Sequence, residues 1–204
     1  MKTSSKINLK GFFNYKLCLL VLIFVIIQTT SGKDLVLKND IPKFVYNDSK
    51  EFVDAINNCA DWLEKNMIKT EIVPREIIIA QSVIESDYGK SRFSKEANNL
   101  FGVRTYDLNK PHIKPLNSPE SNFGLKKYET KCDSVKDYMK TLNKGFAFSE
   151  FRQVRQKMIE NNDIDVFILV ETLKNYAANP NYVNMIKKTI KSYNERISAT
   201  NSDS

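Results

Sequence analysis

The chain carries the stretch IAQSVIESDYGKS at residues 79–91 and, shortly after it, ANNLFG at residues 97–102. Glu85 lies near the end of an apolar run. Gly89 favours the end of a helix, because glycine readily adopts the left-handed conformation that closes many helices. Two asparagines before a glycine, as in the second stretch, are typical of a turn. Together the two stretches predict a carboxylate held at the end of a buried helix beside a turn.

The helix that carries Glu85 is predicted to begin at Pro74, since proline fits the first turn of a helix. Apolar side chains then lie on most of its sides, which is typical of a buried helix; they are Ile77, Ile78, Ile79, Ala80, Val83 and Ile84. β-Branched residues are also common in strands, but the run from Pro74 to Gly89 is too long for one. We therefore expect a helix over this run.

The remaining sequence predicts a mainly α fold with a small irregular β-lobe. Asp48 and Glu51 form a capping pair for a first helix over about 49–68, and Ser91 caps a short helix that ends at Ala97. Proline and glycine interrupt residues 101–130, where 103–106 and 123–128 are possible short strands. Helical spacing returns after Asp133. Its apolar positions are Val135, Tyr138, Met139 and Leu142; Phe151, Val154 and Met158; a run from Val166 that ends near Tyr176; and Tyr182, Met185, Ile186, Ile190 and Tyr193.

The N-terminus has the layout of a secretory signal peptide over residues 1–32. Four lysines precede an apolar run of eleven residues, Leu17 to Ile27, and small residues follow it. The run is shorter than the ~20 residues of a membrane-spanning helix, which favours cleavage over an uncleaved anchor. We expect an extended lead-in over 33–47, one folded domain over 48–198 and a disordered tail over 199–204.

The charge of the chain depends on this leader. The whole sequence has a formal net charge of +7, but without residues 1–32 it has 27 basic residues against 24 acidic ones. A charge of +3 is compatible with an anionic polymer but is not typical of a nucleic-acid-binding protein. No helix-turn-helix signal, zinc spacing or arginine run points to nucleic acid, so we expect no nucleic-acid partner.

Cysteine and histidine are scarce beyond the leader. Cys59 and Cys132 form a disulfide or remain two buried thiols; an exported protein permits the former, and the apolar position of Cys59 on its helix fits the latter. His112 is the sole histidine and falls in the irregular lobe, where a surface position is the simpler interpretation. Without ligand spacing among these residues we expect no metal site.

Glu85 is the candidate catalytic residue. Helical spacing places it at the edge of the apolar stripe, where burial favours the protonated form and raises its pKa. A carboxylic acid that keeps its proton near neutral pH is what glycosidic bond cleavage requires. The alternative is a glutamate that caps or ion-pairs at the helix end, although the helix dipole disfavours an acid in the last turn.

Three stretches resemble one known family. The motif of residues 79–91 with 97–102 is similar to the core of the family 73 glucosaminidase domain, also called mannosyl-glycoprotein endo-β-N-acetylglucosaminidase-like, of bacterial autolysins and flagellar peptidoglycan hydrolases. Residues 127–128 with 134–138 resemble the segment after its variable lobe, and 175–182 resemble its late tyrosine motif. The matches follow in order over about 70–190 and are similar to the Bax-type branch.

The resemblance implies a lysozyme-like helical fold with Glu85 as general acid. It implies that Tyr176 lines the groove near the reacting sugar and that Asn99 fixes the turn that presents the groove to substrate. Tyr88, Phe101 and Tyr128 would supply apolar walls for sugar faces, although core packing is the alternative for each and is favoured for Phe101.

The sequence departs from the family pattern at two positions and leaves the second carboxylate open. Tyr88 stands where tryptophan is common, and Asp87 where a small residue is common. Glu120 in the lobe is a candidate for activating water, with Glu129 close by. If no carboxylate lies opposite Glu85, the acetamido group of the substrate could assist instead.

The resemblance predicts an exported endo-β-N-acetylglucosaminidase that cuts the β-1,4 bond between N-acetylglucosamine and N-acetylmuramic acid in peptidoglycan. No metal or organic cofactor is expected. The partners would be glycan strands, the protein would be a monomer, and it would act in the periplasm or cell envelope, anchored to the membrane only if the signal remained uncleaved. A lytic transglycosylase and a non-catalytic wall-binding protein are the alternatives.

Overall fold

The computed structural model describes residues 41–202, with side chains as far as 199. The predicted signal peptide and most of the predicted lead-in lie outside these residues. From Pro42 onward the chain forms a mainly α unit with a small antiparallel sheet, which confirms the predicted fold class. Its helices are α1 (Ser49–Glu64), α2 (Arg75–Ser86), α3 (Arg92–Ala97), α4 (Lys131–Lys144), α5 (Ser149–Glu160), α6 (Val166–Glu171) and α7 (Tyr182–Ser202), with 3₁₀ turns at Lys69–Glu71 and Phe146–Phe148.

Side-chain caps set the starts of α1, α3 and α4. Asp48 accepts a hydrogen bond from the amide of Glu51 at the start of α1, and Ser91 accepts one from Ser94 at the start of α3. Thr130 and Asp133 form a reciprocal capping box before α4. Each cap satisfies amides that have no partner within the helix, so the predicted starts at Asp48 and Ser91 agree with the structure.

The ends of several helices differ from the prediction. α1 ends at Glu64 instead of 68, and α6 ends at Glu171 instead of near Tyr176, because hydrogen bonds between residues three apart continue the chain as tighter turns. α7 runs to Ser202, beyond the predicted boundary at 198. α2 ends at Ser86, and Asp87 adopts the left-handed capping conformation that we expected of Gly89.

Gly89 has a different reason to be glycine. Its φ is +77°, and a Cβ added there would lie 2.2 Å from the hydroxyl oxygen of Tyr46. That hydroxyl donates a hydrogen bond to the carbonyl of Gly89 at 3.0 Å. The hydroxyl of Ser86 also accepts a hydrogen bond from the amide of Gly89. Hydrogen bonds to Tyr46 and to Ser86 of α2 therefore hold the turn that follows α2.

The β-lobe is a three-stranded antiparallel sheet in the order β1-β3-β2. Its strands are β1 (Arg104–Thr105), β2 (His112–Ile113) and β3 (Gly124–Lys126). β1 and β3 fall inside the predicted stretches, whereas β2 was not predicted. His112 pairs with Lys126 in the register and packs on Gly124, where a Cβ would lie 2.4 Å from its ring.

Cys59 and Cys132 form a disulfide that joins α1 to α4, with their Cα atoms 5.4 Å apart. The structure thus decides between the two possibilities left open above. Both residues are buried, as are Phe52 and Ile56 on α1 and Val135 and Met139 on α4. Among residues 41–202, no group of histidine, cysteine and acidic residues could hold a metal ion, and no helix combines the length and apolar character needed to cross a membrane.

We expect the disulfide to contribute about 2–4 kcal/mol to the free energy of unfolding, because it closes a long loop in the unfolded chain. The double variant Cys59→Ala/Cys132→Ala should unfold roughly 10 °C below the wild type in calorimetry. A reducing agent should lower the midpoint of the wild type alone. Equal midpoints for reduced and oxidised wild type would contradict this expectation.

Candidate active site

Glu85 lies in the last turn of α2 with its two carboxyl oxygens in different surroundings. Oε1 accepts a hydrogen bond from the hydroxyl of Tyr182 at 2.6 Å. Oε2 lies by Gly102, where an added Cβ would be 3.6 Å away. One oxygen is therefore held by the protein, and the other is presented next to the turn at residues 98–102.

Burial raises the pKa of Glu85, and the hydrogen bond from Tyr182 opposes that shift. Burial is the larger effect, so the protonated acid is favoured. No basic side chain among residues 41–199 forms an ion pair with Glu85. The alternative of an ion-paired glutamate at a helix end therefore has no support in this structure.

A buried hydrogen-bond chain orients the donor to Glu85. The oxygen of Tyr182 accepts from the side-chain amide of Gln81 at 2.9 Å, so its own hydrogen points to Glu85. The hydroxyl of Tyr138 in turn donates to the amide oxygen of Gln81. Burial raises the pKa of Tyr182 and of Tyr138, which keeps both as hydrogen-bond donors. The chain joins α2, α4 and α7 behind the acid.

Aromatic rings support this chain. Tyr176 stacks on Tyr182 with an angle of 4° between the rings and 5.7 Å between their centroids. Its hydroxyl donates to the carbonyl of Phe101 at 2.9 Å. Phe101 is 2% exposed and stacks on Tyr138 at 4.0 Å. The ring of Phe101 thus belongs to the core, as the alternative interpretation had it, while Tyr176 remains partly exposed at the surface of the site.

Asn99 holds the turn beside Glu85. Its side-chain oxygen accepts hydrogen bonds from the amides of Phe101 and Val103, and its nitrogen donates to the carbonyls of Val103 and Lys126. The residue is 1% exposed. Three of these bonds close the turn on itself, and the bond to Lys126 attaches it to β3. Gly102 follows with a φ of +64°. In this structure Asn99 shapes the site from within.

A groove of about 780 Å³ opens in front of Glu85. Its walls consist of the turn 101–104, Lys126 of β3, Phe148 of the second 3₁₀ turn and segment 174–178. Within the described part of the chain, Glu85 is the one acid that lines this groove, and its basic residues are Arg104, Lys126 and Lys174. The arrangement can present a neutral carboxylic acid to a polar, chain-like ligand.

The structure brings together only some of the residues predicted from the sequence. Glu85, Phe101 and Tyr176 line the groove, and Asn99 lies behind it. Tyr88 lines a separate pocket of about 230 Å³ that α1, α2 and α7 form, where its ring packs edge-on against Phe52 at 5.9 Å.

Two further predicted residues lie outside the groove lining. Tyr128 donates to the carboxylate of Asp137 at 2.7 Å, and the same carboxylate pairs with Lys126. Tyr128 thereby supports a residue of the groove from behind. Glu120 is exposed in a turn of the lobe, and Asp87 is exposed beyond α2.

Sequence reasoning missed Tyr182, Gln81 and the three cations of the groove. Gln81 precedes Glu85 by four residues, so a polar residue one turn earlier on a buried helix was a usable signal. Tyr182 closes the late motif that resembles the family, but its contact with Glu85 spans 97 positions.

Fold and site together define a lysozyme-like helical domain in which, over the described residues, a single acid lines an open groove. The sequence profile described as mannosyl-glycoprotein endo-beta-N-acetylglucosaminidase matches residues 60–195, and the chain belongs to this glucosaminidase family.

Similar proteins include exo-glucosaminidase LytG of Bacillus subtilis, 25% identical over 177 residues, which are 82% of this chain and 59% of LytG. Protein bax of Escherichia coli is 24% identical over 110 residues, or 53% of this chain and 38% of that protein. An N-acetylmuramoyl-L-alanine amidase domain-containing protein of Staphylococcus aureus is 26% identical over 155 residues, or 72% and 24%. The chain thus spans less than two thirds of each of these relatives.

Among solved structures, the catalytic domain of the autolysin Auto from Listeria monocytogenes matches with a TM-score of 0.54 and 23% identity. The match covers 81% of this chain and 94% of that domain. This likeness agrees with the fold described above.

The raised pKa of Glu85 has a consequence for stability. Below the pKa of an unfolded glutamate, Glu85 is protonated in both states; as pH rises through the raised folded pKa, the folded state loses stability. Glu85→Gln, which does not titrate, should therefore be more stable than the wild type above neutrality, and the difference should shrink towards pH 4. Urea unfolding at several pH values measures the difference in free energy of unfolding between the two proteins. A difference that does not change with pH would contradict this expectation.

Tyr182→Phe should raise the pKa of Glu85 further, because the lost hydrogen bond favours the ionised acid. If Glu85 must be protonated for activity, kcat/KM of the variant should begin to fall at a higher pH than kcat/KM of the wild type. Tyr176→Phe, which removes a hydrogen bond to Phe101 instead, should leave that pH unmoved whatever its rate. If kcat/KM of Tyr182→Phe falls at the same pH as that of the wild type, or at a lower pH, the expectation is contradicted.

Proposed function

We propose that this protein is an exported endo-β-N-acetylglucosaminidase that hydrolyses β-1,4 bonds of peptidoglycan, with Glu85 as the general acid. The observation that carries the proposal is the carboxyl group of Glu85 at an open groove, oriented by Tyr182 and with a pKa that burial raises. Membership of the glucosaminidase family supports the bond type. Similarity to the exo-glucosaminidase LytG supports glucosaminidase activity, and similarity to a protein with an N-acetylmuramoyl-L-alanine amidase domain supports a cell-wall substrate.

In the proposed reaction the proton of Glu85 passes to the leaving glycosidic oxygen while the sugar gains oxocarbenium character. Oε2 beside Gly102 is the donor we propose, because Oε1 is engaged by Tyr182. The partly exposed ring of Tyr176 would contact the sugar at the reacting position. Tyr182, Gln81 and Tyr138 hold the acid in place and do not touch the substrate.

For the second half of the reaction we propose participation of the acetamido oxygen of the substrate. That oxygen would attack the anomeric carbon as the leaving group departs. Water would then attack the same carbon, with the Glu85 carboxylate taking its proton. The groove supports this route because its lining, over the described residues, holds no acid besides Glu85. Glu120 remains a candidate for activating water directly, which would invert the anomeric configuration instead of retaining it.

One structural observation favours a second candidate function. A lytic transglycosylase also needs a single acid, and among residues 41–199 a single acid lines this groove. Such an enzyme would leave anhydro-muramic ends, whereas hydrolysis leaves a reducing N-acetylglucosamine. Mass spectrometry of the digested muropeptides separates the two, and the chain length of early products separates endo from exo cleavage.

Glu85→Gln should lower kcat on peptidoglycan by about 10²–10⁴-fold, the usual contribution of a general acid. Glu76→Gln, in the first turn of the same helix and outside the groove, is the matched control and should stay near the wild-type rate. The readout is release of reducing ends from purified sacculi, with NMR of the first-formed anomer.

Activity of Glu85→Gln within threefold of the wild type would remove Glu85 from the role of acid. If the first product has the inverted anomeric configuration and its formation requires Glu120, then Glu120 activates water directly and the acetamido route is wrong. If the wild-type protein binds sacculi without cutting them, the proposed activity is wrong and a non-catalytic wall-binding function is favoured.

A further inference from the structure

The positive charge around the groove is unevenly compensated. Lys126 pairs with Asp137 at 2.6 Å, and Lys174 pairs with Glu150 at 3.7 Å. Arg104, on β1, has no carboxylate partner within residues 41–199, and its guanidinium lies 4.4 Å from the centre of the Phe123 ring. The one acid of the groove, Glu85, has a raised pKa. Arg104 is therefore the groove cation that no acid of the described chain neutralises.

The contact with Phe123 leaves Arg104 able to bind an anion. A guanidinium that stacks on a ring uses its face, whereas the N–H groups that bind carboxylates point outward from its edge. The ring also restricts the side chain, which lowers the entropy lost when an anion binds. Arginine can bind a carboxylate through two parallel hydrogen bonds. The position thus has the chemistry of a carboxylate site at the β-lobe side of the groove.

We propose that Arg104 binds a carboxylate carried by the glycan, so that the groove selects an acidic, peptidoglycan-like strand over a neutral N-acetylglucosamine polymer. This inference rests on the proposed function for its substrate, and it adds the chemical class that the groove recognises. The carboxylate has two sources in peptidoglycan: the lactyl group of muramic acid where the peptide is removed, and the carboxylates of the stem peptide. Both present the same group to Arg104.

The first experiment compares substrates that differ in carboxylate content. They are intact glycan strands with stem peptides, strands stripped of peptides by an amidase, the intact strands after their carboxylates are converted to amides, and an N-acetylglucosamine oligomer. We expect wild-type kcat/KM to be about tenfold higher on carboxylated strands than on amidated ones, and to fall with added salt. If stripped strands are cut as fast as intact ones, the carboxylate that Arg104 binds is the lactyl group. If only intact strands are cut faster than amidated ones, it belongs to the stem peptide.

The second arm changes the protein. Arg104→Gln should lose the preference, with about tenfold lower kcat/KM on carboxylated strands and less than a twofold change on amidated strands. Arg104→Lys, which keeps the charge without the paired donors, should be intermediate. Lys50→Gln makes the same change of net charge at an exposed site outside the groove lining and should match the wild type on both substrates. Thermal midpoints confirm that all variants fold.

A binding measurement separates this inference from the proposed function. In the Glu85→Gln background, calorimetric titration with soluble strand fragments should show tighter binding of carboxylated than of amidated fragments, and Arg104→Gln should abolish the difference. If no variant cleaves any strand but this difference persists, the proposed activity fails and the carboxylate site stands. Equal binding and equal rates on carboxylated and amidated strands would overturn the carboxylate site.

Discussion

The hydrogen bond from Tyr182 to Glu85 is the interaction on which the site depends. It joins the last turn of α2 to the first turn of α7, across 97 positions of sequence. Burial disfavours the charge of Glu85, and a hydrogen bond to a charged group offsets only about 1.5–3 kcal/mol of such a cost. Since burial is the larger effect on the pKa of Glu85, Tyr182 orients the acid without forcing it to ionise. These opposing contributions hold Glu85 in place and leave its pKa raised.

The packing of the domain keeps Tyr182 in place from three directions. Gln81 donates to its oxygen, Tyr176 stacks on its ring, and Glu85 accepts a hydrogen bond from its hydroxyl. Gln81 is itself held by Tyr138, whose ring packs on Phe101 in the turn next to the acid. The polar chain behind Glu85 and the turn in front of it therefore share the same aromatic core. A site held by packed rings on helices retains its geometry better than one held by loops.

The sequence was most informative where local chemistry decides the structure. Capping residues and helical spacing predicted the helix starts at Asp48 and Ser91, and the motif around residue 85 predicted the position of the acid. The end of α2 was predicted wrongly, because Asp87 adopts the left-handed capping conformation two residues before Gly89; aspartate is one of the few residues besides glycine that adopt it. Tyr88 was expected at the groove, but the same turn places its ring against Phe52. Contacts such as Tyr182 with Glu85 depend on how distant helices pack, and helical periodicity carries no information about them.

The ties within the β-lobe bear on how the reaction would be completed. Asn99 links the turn to β3, and Lys126 of β3 is tied through Asp137 to α4. The segment that carries Glu120 is held by Lys114, whose ammonium donates to the carbonyls of Ser121 and Phe123. An approach of Glu120 to the groove would have to break these bonds or move segment 114–123 as a unit. An acetamido group arrives with the substrate and requires neither. This difference in conformational cost is the physical reason to favour the acetamido route in a groove where Glu85 is the one lining acid of the part of the chain that the structure describes.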